Sequence, residues 1–422
     1  MRLKRNRLCQ PVGKLGVVLC ALPGLFFCTA GNASSDAPAL SPSGLVNAAS
    51  RSGGSVAPGE IVVLFPSNVG PRVMEGAQID MDGKVPTLLG ETRVWFDGIA
   101  APITYSAAGQ VGAVVPYAVA NHETTKVVVE YQGLRSAPVE LPVAGSAPAL
   151  FTLDSSGQGQ AAMLNETGCC NSGRNPAKRG HISALYATGA GQTSPPGIDG
   201  SVAAFDRTAD YPVPVLPVQV TVGGQAAEII YAGAAPHAVA GLLQVNFRVP
   251  GNAPIGDAVP LVLSVGGFPS RDGVTMAVRS TVERVLIVDT DGVARNSLRK
   301  VLSGAGYAVS VARNGGEAMA RSEDQPIDLV LCSLSIAESE RLEAIGMMLR
   351  ARPQIKIAAI AGVLDPASRR AADLFGAQLV LTRGMPSKTV LQGVRELLRP
   401  RPVPYVADER PPMFPLTPAI PR

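Results

Sequence analysis

Between Arg284 and Leu398 the chain alternates five short apolar runs with amphipathic stretches, and few architectures accept such a pattern. The runs are Arg284–Val288, Tyr307–Val311, Ile327–Leu331, Ile355–Ile360 and Gln378–Thr382. The stretches between them space their apolar residues three and four apart, as Leu298, Val301 and Leu302 do, which is helical periodicity. Asp365 before Pro366 reads as an N-cap followed by a favourable first helical residue, and Ser387 as a cap for the last helix. A repeated β-α unit predicts an α/β doubly wound, flavodoxin-like parallel sheet of order 2-1-3-4-5, with helices on both faces. Its chemistry is expected outside the carboxyl ends of the strands.

Those ends read Asp289-Thr290-Asp291 after the first strand, Cys332-Ser333-Leu334 after the third, Ala361-Gly362 after the fourth and Thr382-Arg383-Gly384 after the fifth. Residues 284–398 thereby resemble the receiver domain of bacterial response regulators, and the spacings of 44, 28 and 22 residues between Asp289, Ser333, Ala361 and Arg383 suit that family. The resemblance implies an acidic pair holding magnesium, an aspartate accepting phosphate, a Thr or Ser switch and a Lys-Pro pair at these four places. Here Asp289 keeps the first acidic position and Thr290 replaces the second. Ser333 stands at the phosphoacceptor position, Ala361 at the switch hydroxyl, and Arg383-Gly384 at Lys-Pro.

A serine hydroxyl cannot form an acyl phosphate, and without a positioned base it is a poor nucleophile. Asp289 and Asp291 are the carboxylates left for a metal, a thin donor set for magnesium, and Asp291 serves equally as a cap of the following helix. The planar fork of Arg383 is not equivalent to a compact ammonium. The expectation is a pseudo-receiver that binds a protein partner without aspartate phosphorylation, is not an enzyme and needs no cofactor. Cys332 reads as a small buried hydrophobe.

The N-terminal segment 1–33 reads as a secretory signal peptide: five basic residues from Arg2 to Lys14, an apolar run from Leu15 to Ala30, then small residues. It predicts an exported chain, periplasmic, surface or extracellular, touching a membrane only if the segment is kept; without a signal the chain would be cytoplasmic. Five of the 37 basic residues lie before residue 34, leaving 32 against 33 acidic ones, so no nucleic-acid partner is expected. Beyond that segment only Cys169, Cys170 and Cys332 remain; adjacent cysteines do not make a structural bridge, and three scattered histidines argue against zinc.

Residues 34–53 are rich in Ser, Pro and Ala and read as a linker. Beyond them, short alternating runs separated by Gly and Pro predict two tandem all-β Ig-like sandwiches, over 54–145 and 146–280. An internal repeat supports the pair. Val94–Gly98, Tyr105, Gln110, Pro116 and Gly133–Ser136 recur as Val220–Gly224, Tyr231, Gln244, Pro250 and Gly267–Ser270, with eight residues inserted between Tyr231 and Gln244. Asp97-Gly98 and Gly223-Gly224 are hairpin-turn dipeptides. Asn47–Ser50, Val56–Ile61, Ala147–Thr152 and Tyr186–Thr193 together resemble the Solibacter-type C-terminal domain, which implies an extracellular β module and nothing catalytic. Trp95 reads as a core residue, the polar segment Asn165–Arg179 as a solvated turn, and 399–422 as a Pro-rich extended tail. An alternative to signalling is therefore an exported envelope or adhesion protein that keeps the receiver fold as a scaffold.

Overall fold

The computed structural model describes residues 37–203, 211–351 and 355–398; the segment 1–33, read as a signal peptide, and the tail 399–422 lie outside the described residues. Among the described residues no helix is long and apolar enough to cross a membrane. The β region opens with two five-stranded sheets that share one core. Leu45, Val62, Leu64, Ile103 and Val111 from one sheet pack with Val94, Phe96, Val127, Val129 and Leu141 from the other. Alternation does the sorting: Thr92–Phe96 buries every second residue, as a strand with one covered face must. A second pair of sheets encloses Leu185, Val245 and Phe247 on one side and Val220, Leu261, Leu263 and Met276 on the other. Pairing between strands is antiparallel except on Val274–Arg279, along which Gly159–Gln160 and Ala177–Lys178 run parallel, and an isolated parallel bridge joins Val56 to Val143.

The internal repeat is a repeat of structure. Asp97-Gly98 and Gly223-Gly224 both have positive φ at both positions, 50° and 83°, then 58° and 78°, the backbone of a type I′ hairpin turn. The ladder carries a bulge beside Tyr105 in the first copy and beside Tyr231 in the second. Ser136 Oγ accepts from the Val129 amide at 3.0 Å, and Ser270 Oγ from the Leu263 amide at 3.1 Å. The inserted residues Val239 and Leu242 pack in a small core with Ile61, Val85, Val114 and Phe151, so the insertion lies where the two β units meet.

The segment expected to be a linker is not one over 37–53. Leu45–Asn47 pairs with Ile61–Leu64, Leu45 enters the core, and the Asn47 side chain donates to Glu60 Oε1 at 2.7 Å and to the Ala147 carbonyl at 3.2 Å. A composition typical of linkers hid an edge strand, because one apolar residue and one amide suffice to anchor it. Trp95 is also displaced from its expected place. It sits half-buried on the outer face, donating to Glu130 at 3.2 Å beneath the Arg135 guanidinium, 5.0 Å from the ring centroid.

All four motifs of the second resemblance converge on the junction of the β units. Besides Asn47, the Ile61 amide donates to Thr188 Oγ1 at 2.8 Å, and Thr188 donates to the Gly241 carbonyl at 2.9 Å. Gly189 (φ 77°) lies so close to the Ala147 carbonyl that a Cβ would fall 1.9 Å from its oxygen. Only glycine allows that approach.

The C-terminal unit is a parallel five-stranded sheet: β1 (Arg284–Val288), β2 (Ala308–Ala312), β3 (Leu329–Ser333), β4 (Lys356–Ala361) and β5 (Leu379–Thr382), in the expected order 2-1-3-4-5. Helices α1 (Gly292–Gly304), α2 (Gly315–Asp324), α3 (Glu338–Ala351), α4 (Pro366–Leu374) and α5 (Ser387–Leu398) follow the strands. Every residue of β3 is buried, as expected of a strand covered on both faces. Leu286, Val330 and Ile357 belong to one core and Ile287, Leu331 and Ala358 to the other. Asp365 caps α4 through the Ser368 amide, as expected. The cap of α5 is different: the Thr389 and Val390 amides bond to the Pro386 carbonyl, which makes Ser387 the first helical residue.

Asn165–Arg179 is not a solvated turn. Asn171 is fully buried and bonds to both the amide and the carbonyl of Ala277. At the end of the same segment, Lys178 reaches across to Asp328, just ahead of β3, at 3.0 Å. Arg279 grips the same carboxylate with both terminal nitrogens, and the Arg284 amide adds a bond of 2.9 Å. Burial works to raise the pKa of Asp328, but the Arg279 and Lys178 charges outweigh it and hold the carboxyl below its usual range.

Candidate functional site

The carboxyl ends of β1, β3 and β5 bring Asp289, Thr290, Asp291, Ser333 and Arg383 together. Asp289 is fully buried at the end of β1, where its Oδ1 accepts from the Asp291 amide at 3.0 Å. Asp291 turns the chain into α1, its Oδ1 accepting from the Val293 and Ala294 amides at 2.9 and 3.2 Å. Those amides, the Ala294 one first, and the Arg383 charge keep the Asp291 carboxyl below its usual range. The capping role and the site role fall on one residue.

Arg383 closes the cluster. Its Nη2 lies 2.8 and 3.0 Å from the two carboxylate oxygens of Asp289, and its Nη1 2.8 Å from Asp291 Oδ2. Nη2 also points at Ser333 Oγ at 3.2 Å. A planar fork bridges the two carboxylates through separate nitrogens, a fixed geometry that a single ammonium does not reproduce. Gly384, next in the chain, has φ 81°, a conformation closed to proline, so the turn after β5 departs in backbone as well as in side chain from a Lys-Pro pair. Ala361 is fully buried in β4, and its carbonyl accepts from the Arg383 amide at 2.9 Å. It offers the site no hydroxyl.

Ser333 Oγ has Ser335 Oγ at 2.7 Å, the Ser335 amide at 3.3 Å and the Arg383 guanidinium as partners. None of these is a base. All three histidines of the chain lie in the β region. Cys332 beside it is buried, and burial pushes its thiol up to about 12, so it remains protonated.

Two contributors were not singled out from the sequence. Ser335 links Ser333 to Thr290 Oγ1 at 3.2 Å, and Arg295 of α1 donates to the Asp289 carbonyl at 2.5 Å. The only sequence signal for Ser335 was its place two residues beyond Ser333; Arg295 had none.

The model of the response regulator receiver family matches residues 285–395. This span is a receiver domain. A receiver is a module of phosphorelay signalling, and the match covers it from β1 into α5. Among curated proteins, this chain is similar to the response regulator receiver protein CpdR of Brucella abortus, 26% identical over 117 residues, 28% of this chain and 98% of that protein. It is also similar to protein-glutamate methylesterase/protein-glutamine glutaminase 2 of Caulobacter vibrioides, 27% identical over 146 residues, 31% of this chain and 42% of that enzyme. The chain thus spans less than half the length of the methylesterase. Among solved structures, a response regulator receiver domain protein from Methanospirillum hungatei is 24% identical, with a TM-score of 0.26, and the match covers 28% of this chain and 94% of that one.

Magnesium is the ion that a receiver implies, and the residues present do not fit it. Asp289 and Asp291, the carboxylates expected to remain for a metal, both face a guanidinium, and Thr290 and Ser333 supply only neutral oxygens. Among the described residues no group of three His, Cys, Asp or Glu side chains could hold a metal ion.

Proposed function

We propose that the receiver domain is a pseudo-receiver, a signalling module that binds a protein partner and does not pass through an aspartyl phosphate. One observation carries the reading: the Arg383 guanidinium occupies the acidic pocket and bridges Asp289 and Asp291, offsetting one of their two charges, while Ser333 stands where the phosphoacceptor is expected. Phosphorylation in a receiver turns on a cation and an anion arriving in this pocket. Here the cation is covalently part of the turn that follows β5 and is always present. The domain is thereby held in one state by its own side chain, and the signal it carries is occupancy of its surface by a partner. No catalysis is assigned to the chain.

The test is incubation of the purified chain with magnesium and acetyl phosphate, read by intact mass. The expected result is no gain of a phosphoryl group. Gain of one acid-labile phosphate would overturn the reading and restore a phosphorelay role.

A second reading rests on the N-terminal segment, whose basic start and apolar run from Leu15 to Ala30 favour export. In it the two β units are Ig-like modules of an envelope or surface protein, and the receiver domain serves as a rigid scaffold held by Asp328. Cell fractionation with an antibody to the receiver domain separates the two: a cytoplasmic location removes the second reading, and an exterior location removes phosphodonor kinases from the first.

A further inference from the structure

Where the two β units meet there is a cavity of about 280 Å³ with a mainly apolar lining. Gly59 and Tyr117 come to it from the first unit, and Thr193, Gly197, Leu242 and Leu243 from the second. Part of its wall is Ala240–Leu242, inside the insertion that distinguishes the second copy of the repeat from the first. The extra residues therefore complete a compartment for which the first copy has no counterpart. Its volume lies between the roughly 150 Å³ that accommodates a benzene ring and the roughly 300 Å³ at which drug-sized pockets begin.

One polar group stands out in it. Tyr117 as a residue is only 8% exposed, and its hydroxyl makes no hydrogen bond among the described residues, but the oxygen itself is not among the fully enclosed unpartnered atoms. A hydroxyl so placed stays available to a ligand as both donor and acceptor. The ring is held rigidly. A Cβ on Gly59 would fall 2.5 Å from it and one on Gly197 2.3 Å, so both glycines lie against it. The Tyr117 amide donates to Asp199 Oδ1 at 2.9 Å, and its carbonyl accepts from Gln192 Nε2 at 2.9 Å. Burial, with the Asp199 charge adding, pushes the phenol up to about 12, so it stays a donor at ordinary pH. The same carboxylate disfavours an anion nearby.

We propose that this cavity is a binding site for a small, uncharged, cyclic molecule with one acceptor oxygen, a carbonyl or an ether, which takes the free Tyr117 hydroxyl. The apolar lining contributes burial of the ring, and the phenol sets orientation and selectivity. The site is independent of the receiver domain and of how that domain signals.

The experiment is a saturation-transfer NMR titration of the purified full chain with acetophenone and with its hydrocarbon isostere α-methylstyrene. Acetophenone is expected to bind about tenfold more tightly, the worth of one hydrogen bond to a hydroxyl without a protein partner. Tyr117→Phe, which keeps the ring between Gly59 and Gly197, should erase that preference and leave binding of the isostere unchanged. Ala234→Phe, which fills the cavity, should abolish binding of both. Failure of both probes to bind the wild-type chain overturns the proposal. So does equal binding of the two, or a preference that survives in Tyr117→Phe. If Ala234→Phe does not fold, the Tyr117→Phe comparison decides by itself.

Discussion

Replacing Arg383 with methionine keeps most of its apolar stem and removes the charge that closes the receiver pocket. Asp289, whose side chain has no exposure, would then keep the Asp291 amide but lose its cation. Two unit charges about 4 Å apart at an effective dielectric of about 20 attract by about 4 kcal/mol. Removing one partner of a buried pair typically costs about 3–5 kcal/mol. The Arg383 side chain is 31% exposed, which lowers the expectation to about 3 kcal/mol. All α-helices of the described residues lie in the receiver domain, so helical circular dichroism during denaturant unfolding reports on that domain alone. The loss should be partly recovered in the variant by millimolar magnesium, which can now approach Asp289 and Asp291, whereas the wild-type curve should not move with magnesium. A wild-type domain that magnesium stabilises as much as it does the variant would refute the claim that Arg383 is the resident cation. So would a variant that loses less than about 0.5 kcal/mol.

Two further outcomes follow from buried carboxyls elsewhere. Burial pushes Glu60 from 4.5 up to about 8 against the hydrogen bonds from Ala57 and Asn47, so the folded state holds its proton more tightly than the unfolded one. Stability of the β region should therefore fall as pH rises between those two values, by on the order of 5 kcal/mol, and level off above. Trp95, the single tryptophan, reports this unfolding, and Glu60→Gln should flatten the profile; an unchanged slope in that variant counts against the assignment. Asp328 has the opposite sign: its lowered pKa gives stability that is present above the usual carboxylate value and lost as pH falls through the folded one. Asp328→Asn should accelerate proteolytic cleavage in the connection between Arg279 and Arg284 severalfold at neutral pH, and equal cleavage rates would show that the clamp does not hold the receiver domain to the β region.

Much of the site was legible before any coordinates, because parallel β-α units place the carboxyl ends of their strands in one row. Asp289, Ser333, Ala361 and Arg383 could be assigned from the strand ends together with the resemblance to receiver domains. What Arg383 does there could not be, since a basic residue at that place reads equally as a solvated charge. Its role depends on two carboxylates 94 and 92 residues away and on the turn that Gly384 allows. Ser335 and Arg295 were missed for the same reason: each acts through a contact, and neither belongs to a pattern.

The β region divides along the same line. Its repeat, its hairpin turns and its alternation are local properties, carried by residue type and short spacing, and the chain shows them unaided. The burial of Asn47 and Asn171, the outward Trp95 and the cavity at Tyr117 depend on which surfaces two sheets press together. Residues 37–53 and 165–179 are polar enough to read as solvated chain, but each has a hydrogen-bond partner more than 90 residues away, in Ala147 and Ala277. Local pattern determines which elements can form, because periodicity is a property of neighbours. Tertiary structure alone decides which polar groups find their partners, because those partners are brought close only when the layers close over one another.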